Sequence, residues 1–455
     1  MTNQELRREL GLWGAVAIVV GTVIGSGIFA VPKAMVLYTG SPSWVFAVWI
    51  FGGMLSLFGA LTYAELAAAM PEAGGEYTYL KMAYGPFFGF LYGWTQAWVA
   101  KSGSIATLAT LFFYYLTTFA PALDNLLFRI PLPIGPGGGP LDVSWGQLAS
   151  MAVILLLGFV NHFGVRIGGG VQIAVTILKV VLILGIVVIG LTAEVGSTSN
   201  FSSSIAAPGG WTGFFAALVA ALWAFDGWNN VSMIASEVKN PQRNLPLALI
   251  WGVLAVIVIY LLTNLAYFYV LPAEGVAKSD RVAAEMMRKV LGQPGAAAVS
   301  IAAMISIFAA LNGSILSGSR VPYALAKDGL FFKACAAVHP RFGTPSNSIL
   351  LLSIWSSVLV LTGRYEQLYT MVIFPSWILY AMATASVIVL RRTRPDLPRI
   401  YKTIGYPVVP ILFVLVAIAL ILSTLFNSPR ESVLGLGIIA AGVPFYKRWR
   451  HNASV

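Results

Sequence analysis

Twelve apolar stretches follow one another along this chain, near 11–36, 44–69, 87–118, 145–163, 168–192, 211–236, 244–271, 296–326, 346–362, 367–390, 406–425 and 432–446. About 20 apolar residues are enough for a helix to cross a bilayer. Hydrocarbon offers no hydrogen-bond partner, so a spanning chain must satisfy its backbone internally, which helices do. The chain therefore reads as an all-α membrane protein with about twelve transmembrane helices in contact with lipid. Only 10% of residues are charged, against about a quarter in soluble domains. The longest gaps, 119–144 and 272–295, are too short to hold a second domain and read as loops. The first stretch is too long for a signal peptide and reads as an uncleaved span.

The formal charge of +11 does not point to nucleic acid, because Lys and Arg gather on one side of the expected spans. Eighteen lie on the side of the two termini. Eight lie on the other: Lys33, Arg129, Lys278, Arg281, Arg288, Lys289, Arg364 and Arg430. That bias places both termini in the cytoplasm. Within 272–295, Glu285, Met286, Met287 and Val290 alternate with basic residues as in a short amphipathic helix over the outer mouth. Cys335 is the only cysteine, so no intrachain disulfide can form.

Two stretches are interrupted by small or turn-forming residues, Gly21-Thr-Val-Ile-Gly-Ser-Gly-Ile-Phe29 in the first and Phe225-Asp-Gly-Trp-Asn-Asn230 in the sixth. A break at membrane depth survives only where it lines a cavity or is buried in protein. Two breaks five spans apart fit inverted repeats that build a small-molecule site from discontinuous helices. At Gly25-Ser26-Gly27 the second half-helix, beginning near Ile28, would aim its positive dipole end at the gap and suit a carboxylate. The competing reading is small-residue helix packing, since Gly21 and Gly25 have Gly-x-x-x-Gly spacing.

Five ionisable residues lie in or beside spans: Glu65, Lys101, Lys179, Asp226 and Glu237. Such charges mark function unless they reach the interface. Glu65 and Glu237, near span ends, read as structural or gating residues; Lys33 and Arg320 are set aside as span-end residues. Lys179 lies deep in an apolar helix and reads as a functional cation served by the carbonyls of a broken helix. Lys101 is open between function and snorkelling. Asp226 either caps the following half-helix or meets a cationic group of the substrate. Of the aromatics Trp223, Phe225, Trp228, Phe374 and Trp377, Trp223 is the gate candidate.

The run from Gly21 to Phe29, followed by Pro32, resembles the first span of the amino acid, polyamine and organocation superfamily. Trp223-Ala-Phe-Asp-Gly-Trp-Asn229, Glu237-Val-Lys-Asn-Pro-Gln-Arg-Asn-Leu-Pro246, Thr263-Asn-Leu-Ala-Tyr-Phe268 and Leu390-Arg-Arg-Thr-Arg-Pro-Asp-Leu397 narrow the likeness. They resemble the L-type amino acid transporter family, including bacterial serine/threonine exchangers. The resemblance implies a LeuT-like fold with broken helices 1 and 6. It implies a first repeat over 1–192, a second, inverted repeat over 193–390, and two extra helices over 391–455. It also implies a substrate site of Val23, Gly25, Ser26, Gly27, Trp223, Asp226 and Asn229. Carbonyls of Val23, Trp223 and Asp226 would take the ammonium, and amides of Ser26 and Gly27 the carboxylate. Lys179 would stand where sodium-coupled relatives bind a cation, and Tyr267 would support the site. Animal members often carry a loop cysteine for a disulfide to a heavy chain; 119–144 has none, so no such partner is expected.

The expected function is sodium-independent exchange of neutral L-amino acids by alternating access in the plasma (inner) membrane, with no bond chemistry, cofactor or metal. A proton-coupled symporter with a titrating Lys179 is the nearest rival. A channel or receptor is the rival from another class, but neither a filter motif nor a signalling domain is evident.

Overall fold

The computed structural model describes residues 5–131, 140–362, 365–427 and 429–453. Arg364, the side chain of Arg430 and the 132–139 part of one expected loop lie outside them. Each of the twelve apolar stretches falls on one helix or on consecutive helical segments. By length and hydropathy, seven helices among the described residues qualify as spans, and an eighth when Leu12–Val23 and Gly27–Thr39, bent by 42°, are taken together. The sixth stretch misses that measure because its helix, Gly210–Ala224, stops at the break after 15 residues. The short helix Asn230–Met233 continues beyond it.

Both long gaps carry secondary structure among their described residues, and that of the first was not expected. In 119–144 the strands Leu126–Ile130 and Leu141–Ser144 pair antiparallel, with Arg129 and Asp142 linked across them at 2.6 Å. In 272–295 the expected amphipathic helix is present as Ala273–Lys278 and the start of Val282–Gly318. Met286 and Met287 are buried there, while Arg288 and Glu285 pair outward.

Four pairs of helices five stretches apart pack against one another, and each of these four runs antiparallel. In the first pair, Thr22 bonds Gly227 and Gly27 abuts Ala224, while Gly213 backs onto Tyr38. In the second, Pro42–Ala69 with Pro241–Val270, Phe46 meets Phe268, Trp49 meets Tyr260 and Gly53 backs onto Ile257. In the third, Lys101 packs on Gly318 and Phe112 on Phe308. In the fourth, Trp145–His162 with Ser346–Thr362, Gly158 faces Ser353 and Gln147 bonds the carbonyls of Val360 and Leu361.

The first and last described segments lie on one face. Glu5 and Arg8 border a cavity of about 370 Å³ together with Lys81 and Asp328. Tyr446 and Arg450 border an adjoining recess with the same Lys81 and Asp328. Glu65 is buried under this face, held by Arg391 at 2.6 Å and by the Thr403 amide at 2.7 Å, a structural arrangement. Cys335 is buried in a short turn; burial pushes its thiol up and keeps it unreactive.

Candidate substrate site at two helix breaks

The first helix stops at Val23 and the second half begins at Gly27, so Ile24, Gly25 and Ser26 form the gap. Every carbonyl freed there needs a donor, since burying it unpaired costs about 1–3 kcal/mol. Lys179, fully buried on Val165–Leu191, donates to Gly21 O at 2.7 Å and also to Ile24 O. This excludes the snorkelling pose. The Ser306 hydroxyl lies 3.0 Å from both Ile24 O and Gly25 O. Bonding within the second half-helix starts with Phe29 and Ala30 donating to Ser26 O, which leaves the amides of Ser26, Gly27 and Ile28 as its open N-terminal donors. Gly21 also serves packing, because a Cβ there would strike Gln172 and Thr176.

The second break turns at Gly227, whose φ of 105° favours glycine. Its carbonyl accepts from Thr22 Oγ1 at 2.9 Å. The Tyr260 hydroxyl stands between the breaks, 3.0 Å from Val23 O and 2.8 Å from Ala224 O, and shares one proton between them. Tyr267 reaches Ile28 O at 3.3 Å and so holds the second half of the first span.

Between the breaks is a cavity of about 30 Å³, bordered by Val23, Gly25, Ser26, Gly27, Trp223 and Asp226 together with Thr22, Lys101, Ser104, Leu108, Ala224, Gly227, Asn230 and Ser314. That volume suits roughly two waters, so the cavity must widen to take a larger solute. Val23 O already accepts from the Gly25 amide at 2.8 Å and from Tyr260, and Trp223 O from the Asp226 amide at 3.1 Å. Of the three carbonyls expected to take the ammonium, Asp226 O is the one with no donor among the described residues.

Asn229 does not border the cavity. Its carboxamide donates to buried Glu76, which also accepts from Tyr92 at 2.9 Å, and the neighbouring Asn230 lines the space instead. Trp228 is likewise directed away, onto Tyr63 and Phe413. Asp226 is half-buried, with its carboxylate accepting from Tyr380 at 2.8 Å. It is not the N-cap: Asn229 occupies that position, without a side-chain capping bond.

Lys101, left open by its sequence, is buried and donates to Asn230 Oδ1 at 2.6 Å. A π-helical turn, Gln96–Ala100, precedes it and shifts the helix face that follows. Ser102 bonds back to Ala97 O, five residues earlier, across that turn. Gly318 leaves room for the lysine stem.

Beneath the second break, the terminal face is closed. Arg320 and Glu237 form a fully buried two-pronged pair at 2.6 and 3.0 Å, so Arg320 is no span-end residue reaching water. The amides of Glu9 and Leu10 donate to Glu237 O, and the Lys239 amide donates to Leu10 O.

Two opposed helix breaks around a small polar cavity, inside a bundle of apolar helices, define an integral membrane transporter architecture. The amino acid permease family model matches residues 10–443. The human b(0,+)-type amino acid transporter 1 is 33% identical over 98% of this chain and 89% of its own length. The serine/threonine exchanger SteT of Bacillus subtilis is 33% identical over 98% of this chain and 97% of its own, and the human cystine/glutamate transporter 29% over 97% and 85%. The chain belongs to the amino acid permease family, whose members are membrane transporters and not enzymes.

Proposed function

We propose that this protein exchanges neutral L-amino acids across the plasma (inner) membrane without sodium, with both termini in the cytoplasm. The observation that carries the reading is the Lys179 ammonium bound to Gly21 O and Ile24 O. A bound cation would need carbonyls at such a break, and an internal cation already occupies them. The antiparallel packing of the four helix pairs supports twelve spans in a LeuT-like arrangement, with inverted repeats over 1–192 and 193–390 and extra helices over 391–455. The match to a serine/threonine exchanger supports exchange and neutral cargo. Buried Cys335 offers no exposed thiol for a disulfide-linked partner.

In this reading the substrate carboxylate lies on the Ser26 and Gly27 amides, at a helix N-terminus. Its ammonium lies on Asp226 O, beside the carbonyls of Trp223 and Val23. Trp223 gates the outer side, and the Arg320–Glu237 pair closes the inner one. The formal charges around the breaks cancel, Lys101 and Lys179 against Asp226 and Glu76, which suits a zwitterion with an uncharged side chain. Substrate engaging both breaks favours the closed state and shifts the population toward crossing. Purified protein in liposomes loaded with one amino acid at a time should take up labelled serine by counterflow equally in sodium and in choline. Strict sodium dependence, or no counterflow with any amino acid, overturns the reading.

A further inference from the structure

The last turns of the C-terminal helix Pro429–Ala453 carry Tyr446-Lys-Arg-Trp-Arg-His451. Lys447, Arg450 and His451 stand at i, i+3 and i+4, which puts them on one face of the helix. Trp449 fixes the helix from the opposite side, packing on Phe90 and Phe331 with ring centroids 5.9 and 5.5 Å away. The basic face borders two adjoining recesses on the terminal face of the protein, which share Phe87, Tyr446 and Arg450. The rings of Phe87 and Tyr446 meet at 5.1 Å between them. The first recess, of about 550 Å³, also holds Lys81 and Asp328; the second, of about 580 Å³, holds Val443, Lys447 and His451.

Charge is distributed unevenly between the two. Asp328 in the first is already engaged by Lys81 at 2.7 Å and by Tyr77, whereas no acidic residue borders the second. Beside the recesses, Phe88 and Phe445 are exposed on the same two helices. Exposed rings next to cations at the end of an apolar helix mark the level where hydrocarbon meets water. None of these residues borders the cavity between the helix breaks.

We propose that the two recesses bind the headgroup of one anionic phospholipid. Its phosphate lies in the second recess, on Arg450, whose guanidinium can bond it with two N–H groups, and on Lys447. The uncharged remainder of the headgroup extends into the first recess, where a hydroxyl can donate to Asp328 and accept from Lys81. The acyl chains run along Phe88 and Phe445 into the hydrocarbon. A zwitterionic lipid brings an ammonium back toward the same cations and gains less. Free phosphate has the charge but no tail to lay on the rings, so a lipid is the occupant that uses the whole surface. An excess of Lys and Arg on one face orients a membrane protein, but orientation requires neither a recess nor an aromatic rim. Basic pockets between spans are where anionic headgroups are held.

Binding tests the site independently of transport. Purified full-length protein, stripped of lipid in neutral detergent, should retain one phosphatidylglycerol in native mass spectrometry. It should do so at roughly tenfold lower concentration than phosphatidylcholine with the same chains. Lys447→Gln/Arg450→Gln removes two exposed charges from the recess and should abolish that preference. Arg392→Gln/Arg394→Gln removes two exposed charges outside it and should keep the preference, as should the charge-preserving Lys447→Arg/Arg450→Lys. Inorganic phosphate, titrated over the same concentrations, should not displace the lipid. If the double recess variant does not elute as a monodisperse species, Lys447→Gln alone decides, with a loss of roughly threefold or more in the preference. The proposal is overturned if wild-type protein binds the two lipids equally, or if the recess variant keeps the preference. It is overturned equally if Arg392→Gln/Arg394→Gln loses as much as the recess variant, which makes the effect one of general surface charge, or if inorganic phosphate displaces the lipid.

Discussion

Replacing Lys179 by Met keeps much of the side-chain volume and removes the ammonium from the first break. Two charge-assisted hydrogen bonds, to Gly21 O and Ile24 O, are lost. Bonds of this kind contribute about 1.5–3 kcal/mol each. Against that, the folded protein no longer buries an ammonium, whose effective penalty is several kcal/mol. Global stability should therefore change little, because the two effects oppose each other. The break does not share in the compensation. Ile24 O keeps Ser306, but the local donor is gone, and leaving the unwound backbone short of one donor costs about 1–3 kcal/mol. A two-state population shift of that size lowers the competent fraction by roughly 5- to 150-fold. Counterflow of labelled serine in liposomes should fall within that range, while the melting temperature of the purified variant stays near the wild-type value. Wild-type exchange by Lys179→Met would refute the account of the lysine as the internal cation of the site.

Gly27→Val should abolish substrate binding: even a Cβ at Gly27 would fall 2.7 Å from Ala224 Cα, so the breaks cannot approach, and scintillation proximity binding would register the loss. Amino acid amides and decarboxylated amines should compete poorly with the parent amino acid if the Ser26 and Gly27 amides hold the carboxylate; equal competition by the amine places recognition elsewhere. Tyr260→Phe should cost about 1–2 kcal/mol of thermal stability and slow counterflow, whereas Tyr267→Phe, which loses one longer bond, should do less. Glu237→Gln leaves Arg320 buried without its ionic partner, and a destabilisation of about 3–5 kcal/mol, read as a fall in melting temperature, is expected.

The helices were legible because apolar length is a strong signal, and the first break was legible within a residue because glycines flank it on both sides. Lys179 stood out as a lone charge in an apolar run. Glu76 did not, since it lies between two apolar stretches in a segment that reads as a connection; its burial depends on Asn229 and Tyr92 arriving from elsewhere in the chain. Tyr260 and Ser306 are single polar residues in long helices, and nothing local separates them from lipid-facing or core positions. Asn230, and not the expected Asn229, borders the cavity, because the short turn after Gly227 decides which of two adjacent side chains faces it. Arg320 was set aside for its position near a span end, yet its whole side chain is buried on Glu237.

The hydroxyl of Tyr260 has a mechanical consequence. Because one proton is shared between Val23 O and Ala224 O, and Thr22 ties the same two segments at Gly227, the broken helices are stitched together and should travel as a single body. Sliding must then occur at their outer contacts, where Lys179 and Ser306 reach in from Val165–Leu191 and Val282–Gly318. Those two side chains act as bearings: each bonds carbonyl oxygens, whose two lone pairs accept a donor over a range of angles, so the stitched pair can rock against them without leaving a charge or a carbonyl unpaired during the stroke.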